Sequence, residues 1–178
     1  VRRNENPGTL IYRASFAGEP GKGSRFGFFD WSSGKVNPVR GGITGAYPGT
    51  GKAAQALEVF ASKDNFSGFG TGLKPIPAGT KKLVVTGRVL RSADYTGNAP
   101  MLFFWFEKKG QKGGKPFFYR VPQGKNGVWQ EFRFECSGKN FPTDKDGFIL
   151  NMTSQILSKG VKTGGSIFYK DIKIYAGK

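Results

Sequence analysis

Glycine and proline break this chain roughly every 8 to 15 residues, and the stretches between them are short runs of β-branched and aromatic residues. That cadence constrains the fold more than any other feature: it is the pattern of an all-β sandwich or barrel. Residues 83–91 (LVVTGRVLR) put Leu83, Val85 and Val89 on one face of a strand and Thr86 and Arg88 on the other. Residues 101–108 (MLFFWFEK) place Leu102, Phe104 and Phe106 on one face, with Phe103, Trp105 and Glu107 opposite. The same period of two runs through residues 117–121, 130–136, 148–152 and 166–175. Between them, residues 110–116, 122–127 and 158–165 are turn-rich and cationic. The first fifty residues are loop-rich, with short strands expected at 10–16 and 25–31. No internal repeat or linker is visible, so residues 1–178 read as one domain with a core over about 10–176.

Charge and aromatic content bound the function. The net charge is +16, there is no histidine, and the aromatic residues comprise 17 Phe, 6 Tyr and 3 Trp. A surface this basic holds polyanions: nucleic acid, anionic headgroups or acidic polysaccharide. No run of Lys or Arg exceeds two residues, so the charge belongs to strands and loops, not to a disordered tail. The bland alternative is a soluble positive face with no specific ligand. Histidine is the commonest general base and neutral metal ligand, and its absence favours binding over catalysis. Cys136 alone excludes an internal disulfide, and its alternation with Phe132 and Phe134 marks a buried, inert thiol. No apolar run is long enough to span a membrane, and Val1 suggests a trimmed or mature form.

The residues assemble no familiar catalytic motif. The glycine clusters at 41–51 and 110–114 follow neither phosphate-loop nor dinucleotide spacing. With one Cys and no His, neither a zinc site nor a Ser/His/Asp or Cys/His set is assembled. Asp144 and Asp146 lie in an FPTDKDG stretch that reads as a plain turn, the alternative being a calcium loop. A lyase acting on uronates needs only Tyr with Arg or Lys, but Ser154-Gln155-Ile156-Leu157 lacks the His of the Gln-Ile-His element of jelly-roll alginate lyases.

The chain ends Gly164-Gly165-Ser166-Ile167-Phe168-Tyr169-Lys170-Asp171-Ile172-Lys173-Ile174-Tyr175. A small-residue loop, an aromatic strand start and a closing Asp-Ile-x-Ile resemble the last strand of jelly-roll carbohydrate-binding modules, the galactose-binding-like sandwiches allied to xylan- and glucan-binding modules. Gly127-Val128-Trp129-Gln130-Glu131-Phe132 and residues 77–91 resemble other segments of such modules, in the same order. Asp30-Trp31 lies where they often place an early tryptophan. Residues 52–60 (KAAQALEVF) favour a helix by propensity. Their similarity to the modules' Ala-Leu strand instead gives a strand entering through Leu57, Val59 and Ala61.

The resemblance implies a two-sheet antiparallel β-sandwich of jelly-roll topology. It also implies a secreted or cell-surface setting, tethering to a glycan-degrading catalytic domain, and a structural calcium at Asp171 and Glu19, with no cofactor required. For the ligand, parity leaves Trp105 and Glu107 facing outward. Trp105 is expected as a stacking platform, with Arg88 and Arg120 clamping the anionic groups of an acidic polysaccharide. The competing reading makes Trp105 a second core layer under a covering loop. Trp31 and Tyr47, read as loop residues, are candidates for a second site at the rim, whereas Trp129 is expected to be structural. A neutral glycan needs no net charge of +16, so uronate- or sulfate-bearing chains are preferred. The alternatives from other classes are a nucleic-acid-binding jelly roll such as a small viral coat protein, the lyase, and an inert spacer.

Overall fold

The computed structural model describes residues 6–14, 16, 29–32, 41–44, 56–60, 67–154 and 164–178. These form two antiparallel sheets. Sheet A runs β11 (Gln130–Ser137), β7 (Lys82–Arg91), β13 (Ser166–Gly177), β4 (Ala56–Phe60) and β3 (Gly41–Thr44), and β1 (Thr9–Arg13) also pairs with β13. Sheet B runs β10 (Phe117–Arg120), β8 (Met101–Lys108), β12 (Gly147–Thr153), β5 (Ser67–Gly70) and β2 (Phe29–Ser32). The short β6 (Lys74–Pro75) pairs with β12, and β9 (Gln111–Lys112) with β8. The expected sandwich is what forms.

Alternation explains the core. Leu83, Val85 and Val89 of β7, Phe132, Phe134 and Cys136 of β11, and Ile172 and Ile174 of β13 point inward from sheet A. Leu102, Phe104 and Phe106 of β8, with Phe148, Leu150 and Met152 of β12, answer from sheet B. Phe134 joins the two layers, stacking on Tyr119 at 4.4 Å and lying 6.0 Å from Phe104. Each such fully buried side chain contributes about 1.5–3 kcal/mol through removal from water. Gly87 interrupts the inward row of β7 because a Cβ there would sit 2.5 Å from Ile172 Cδ1 and 2.7 Å from Phe132 Cζ. Leu57 and Val59 are fully buried in β4, so the Ala-Leu segment is a strand despite its helix formers, and tertiary burial overrides propensity. Ala61 lies outside the described residues.

Two local devices shape the sheets. Lys108 pairs with Gln111, and the intervening Lys109 and Gly110 both take positive φ (48° and 76°), a two-residue hairpin turn of the I′ kind. Asp146 supports it, its carboxylate accepting from the Lys109 N–H at 3.1 Å; the FPTDKDG stretch itself turns, the Lys145 N–H donating to the Pro142 carbonyl at 3.3 Å. In β13 the register slips between Lys170 and Lys173, and Asp171 sits there with φ 54°, forming a β-bulge. Residues on one side of the bulge pair with β4 and those on the other with β1. Along that last ladder Thr9 lies opposite Ala176. No helix among the described residues is long and apolar enough to cross a membrane.

Candidate functional site

The broad face of sheet B that turns away from the core is assembled by register. One row runs Phe118, Phe103, Asn151, Gly70, Phe29 across β10, β8, β12, β5 and β2. Arg120 lies opposite Met101 at the next row, where Thr153 pairs with Gly68 and Gly68 with Trp31. Trp105 lies opposite Ile149, and Glu107 opposite Gly147. Phe103 binds the rings of this face together, 5.3 Å from Phe118 and edge-on to Trp105 at 6.5 Å. Such pairs add about 0.5–1.5 kcal/mol beyond area burial and hold the rings in place.

Exposure differs sharply between these residues. Phe118 is 51% exposed and Trp105 is half-buried, whereas Phe103 is only 3% and Glu107 only 7% exposed. Met101, Ile149, Asn151 and Thr153 are buried as well. The fully open sheet surface expected for Trp105 is therefore not what forms: two accessible rings, Phe118 and Trp105, flank a buried one. The reason is visible in β8, whose six consecutive apolar residues are those of a strand covered on both faces. The polar floor is satisfied locally: Thr153 Oγ1 donates to the Met101 carbonyl at 2.7 Å, and Asn151 Nδ2 to the Phe103 carbonyl at 3.5 Å. Neighbouring β5 is built on glycine because a Cβ on Gly68 would stand 2.3 Å from the Met152 carbonyl oxygen.

The expected constellation is divided by the sandwich. Arg120 is exposed on the same face of β10 as Phe118, so it shares the face with Trp105, although Met101 and Trp105 are separated by about 13 Å along β8. Arg88 is on the other sheet. It projects from the outer face of sheet A, 3.7 Å from both Glu131 and Asp171, and cannot clamp a ligand held at Trp105. Arg88 and Trp105 each face away from the core, but the successive strands β7 and β8 belong to different sheets. Trp31 is a second correction: it stands within strand β2, opposite Gly68, and not in a rim loop. Tyr47 and Glu19 lie outside the described residues. Asp171 is 59% exposed, ion-paired with Arg88, and no cluster of three or more acidic, His or Cys ligands occurs among the described residues. Trp129 packs on Ala56, Leu90 and Phe168 outside sheet A, with Lys170 Nζ 4.3 Å from its ring centre. Phe118 was missed as a site residue, although its alternation with Phe117 and Tyr119 put it beside Arg120.

No protein-family model matches the chain, and no curated protein sequence does. Among solved structures, it is similar to the CBM22-1 xylan-binding domain of Paenibacillus barcinonensis Xyn10C, at TM-score 0.56 and 13% identity over 98% of this chain and 99% of that one. It is likewise similar to the family 11 carbohydrate-binding module of Clostridium thermocellum, solved with a β-1,3-1,4-mixed-linked tetrasaccharide (TM-score 0.58, 13% identity, 94% and 96% covered). The enzymatically active domain of bacteriophage CBA120 tailspike protein 4 matches at TM-score 0.59 and 10% identity over 85% of this chain; this match spans 19% of the tailspike chain. The chain has the jelly-roll β-sandwich fold of the carbohydrate-binding modules.

Proposed function

We propose that this chain is a non-catalytic module that binds an acidic polysaccharide along the outer face of sheet B. The observation that carries this reading is the pair of accessible rings: Phe118 and Trp105, on either side of buried Phe103, on the side of sheet B turned away from the sandwich core. Sugar rings stack their apolar faces on such side chains, while polar groups at the margin set orientation. Arg120, exposed two residues from Phe118 on the same face, supplies a permanently charged fork for a carboxylate or sulfate. Trp31, opposite Gly68 on β2, is a further candidate by register alone. The net charge of +16 supports an acidic over a neutral glycan, and the histidine-free composition supports binding over chemistry. The fold likeness to a xylan-binding domain, and to a carbohydrate-binding module that is part of an endo-1,4-β-D-xylanase, supports a secreted or cell-surface role, tethered to a glycan-degrading domain.

Affinity electrophoresis tests the reading, with gels cast in polygalacturonate, dextran sulfate, neutral xylan or mixed-linkage glucan. The protein should be retarded most in the acidic gels. Trp105→Ala should lose at least tenfold in affinity for polygalacturonate with its melting temperature within a few degrees of the parent. Equal retardation of Trp105→Ala and parent overturns the site. Retardation only in neutral gels overturns the acidic ligand.

A further inference from the structure

The opposite broad face carries a different chemistry. Across sheet A, register places Arg133, Thr86, Lys173 and Arg13 side by side on β11, β7, β13 and β1. All four residues lie on the outer face, because the flanking Phe132, Phe134, Val85, Ile172 and Ile174 turn into the core. The acidic residues of this face are largely engaged elsewhere: Glu131 and Asp171 with Arg88, and Glu135 with Lys82 at 3.6 Å. Glu58 accepts from the Ser166 hydroxyl at 2.9 Å. Among the described residues, Arg133, Lys173 and Arg13 have no carboxylate within ion-pair reach. Arg133 goes further, since its Nη2 is buried and donates to nothing. A guanidinium nitrogen without an acceptor is costly, and Arg133 as a whole is only partly buried, so the rest of its fork is what an anion on this face meets.

We propose that this row is a second anion-binding surface, on which a sulfated or carboxylated polysaccharide lies across the strands, independently of the ring platform on sheet B. Strand spacing sets the charges: Arg133 and Lys173 are two strands apart and Arg13 one further, about 14 Å in all. The Thr86 hydroxyl lies between them, and Lys170 adjoins the row beside Arg88. A single-stranded nucleic acid needs successive exposed rings for its bases, and this face does not offer them. The Trp129 ring is covered by Lys170 Nζ, Phe168 is buried, and Tyr175 on the next row is half-buried.

The test uses Trp105→Ala as background, with fluorescence-labelled dextran sulfate as probe and anisotropy read at several salt concentrations. The background protein should still bind. Adding Arg133→Gln and Lys173→Gln should weaken binding about tenfold and flatten the log–log salt slope by about two, since two fewer counterions are released. Removing two charges elsewhere, by Lys108→Gln with Lys115→Gln, should change affinity less than twofold, which separates the row from bulk charge. Arg133→Lys should restore much of the salt dependence but less of the affinity, because a point charge replaces the fork. If Trp105→Ala alone abolishes dextran sulfate binding, or if the two pairs of substitutions act equally, the second surface is refuted. Labelled oligothymidylate competing for the row as tightly as dextran sulfate also overturns it, in favour of a nucleic-acid ligand.

Discussion

Cys136 donates its thiol to the Asn140 carbonyl at 3.2 Å from inside the sandwich, and burial, with Glu135 alongside, pushes its pKa up to about 12. Only the thiolate is a nucleophile, so the side chain is inert while the fold is closed. Treated with a chromogenic disulfide at pH 8, the native protein should release no colour on the timescale in which the denatured chain reacts fully; fast native labelling would contradict this burial. Arg91 shows the same rule for a cation. It is 3% exposed, its burial lowers its pKa, and its guanidinium donates to Gln130 Oε1 and the Pro122 carbonyl, both at 3.0 Å. A buried charge is tolerated where neutral acceptors are fixed around it, and here they pin the 122–130 loop to the end of β7.

The β13 bulge governs the outer face of sheet A. Asp171 holds a left-handed backbone conformation that costs most residues about 1–2 kcal/mol. Asp171→Gly should therefore leave the melting temperature unchanged or raised, despite loss of the exposed Arg88 pair. Asp171→Val should lower stability by about 1–2 kcal/mol in urea titrations, because a β-branched side chain is least tolerated there. Strands β8 and β11 are legible in the sequence because their inward residues alternate without interruption, and β7 and β13 because the alternation holds on either side of Gly87 and of the Asp171 bulge. The glycine-rich β3 and β5 were not, since a period of two cannot be read where there are no side chains to show it. For the site, parity correctly sent Trp105, Arg120 and Arg88 away from the core. It could not say which of two outward faces each strand would own, because that depends on long-range pairing between strands distant in sequence.

At the scale of the whole molecule, buried ionisable groups set the alkaline limit. Tyr12 and Tyr95 are pushed up to about 12 by burial, and Tyr169 and Tyr119 are raised for the same reason. In the unfolded chain these phenols ionise near 10.0, and Cys136 near 9.0. As pH rises the unfolded state loses its protons first, so stability present below about pH 9 is lost progressively toward pH 12. Phenolate absorbance and loss of tertiary circular dichroism should appear together in that window; tyrosine ionisation completed at pH 10 with the fold intact would refute the burial of these rings. The accessible rings Phe118 and Trp105, with Arg120, lie on the outer side of sheet B, and the row Arg133, Lys173 and Arg13 lies on the outer side of sheet A, so the whole sandwich stands between them. One further consequence comes from the ladder that sets Thr9 against Ala176. Backbone entering β1 and backbone leaving β13 run side by side at one corner of the sandwich, so a short peptide joining them would leave both broad faces uncovered.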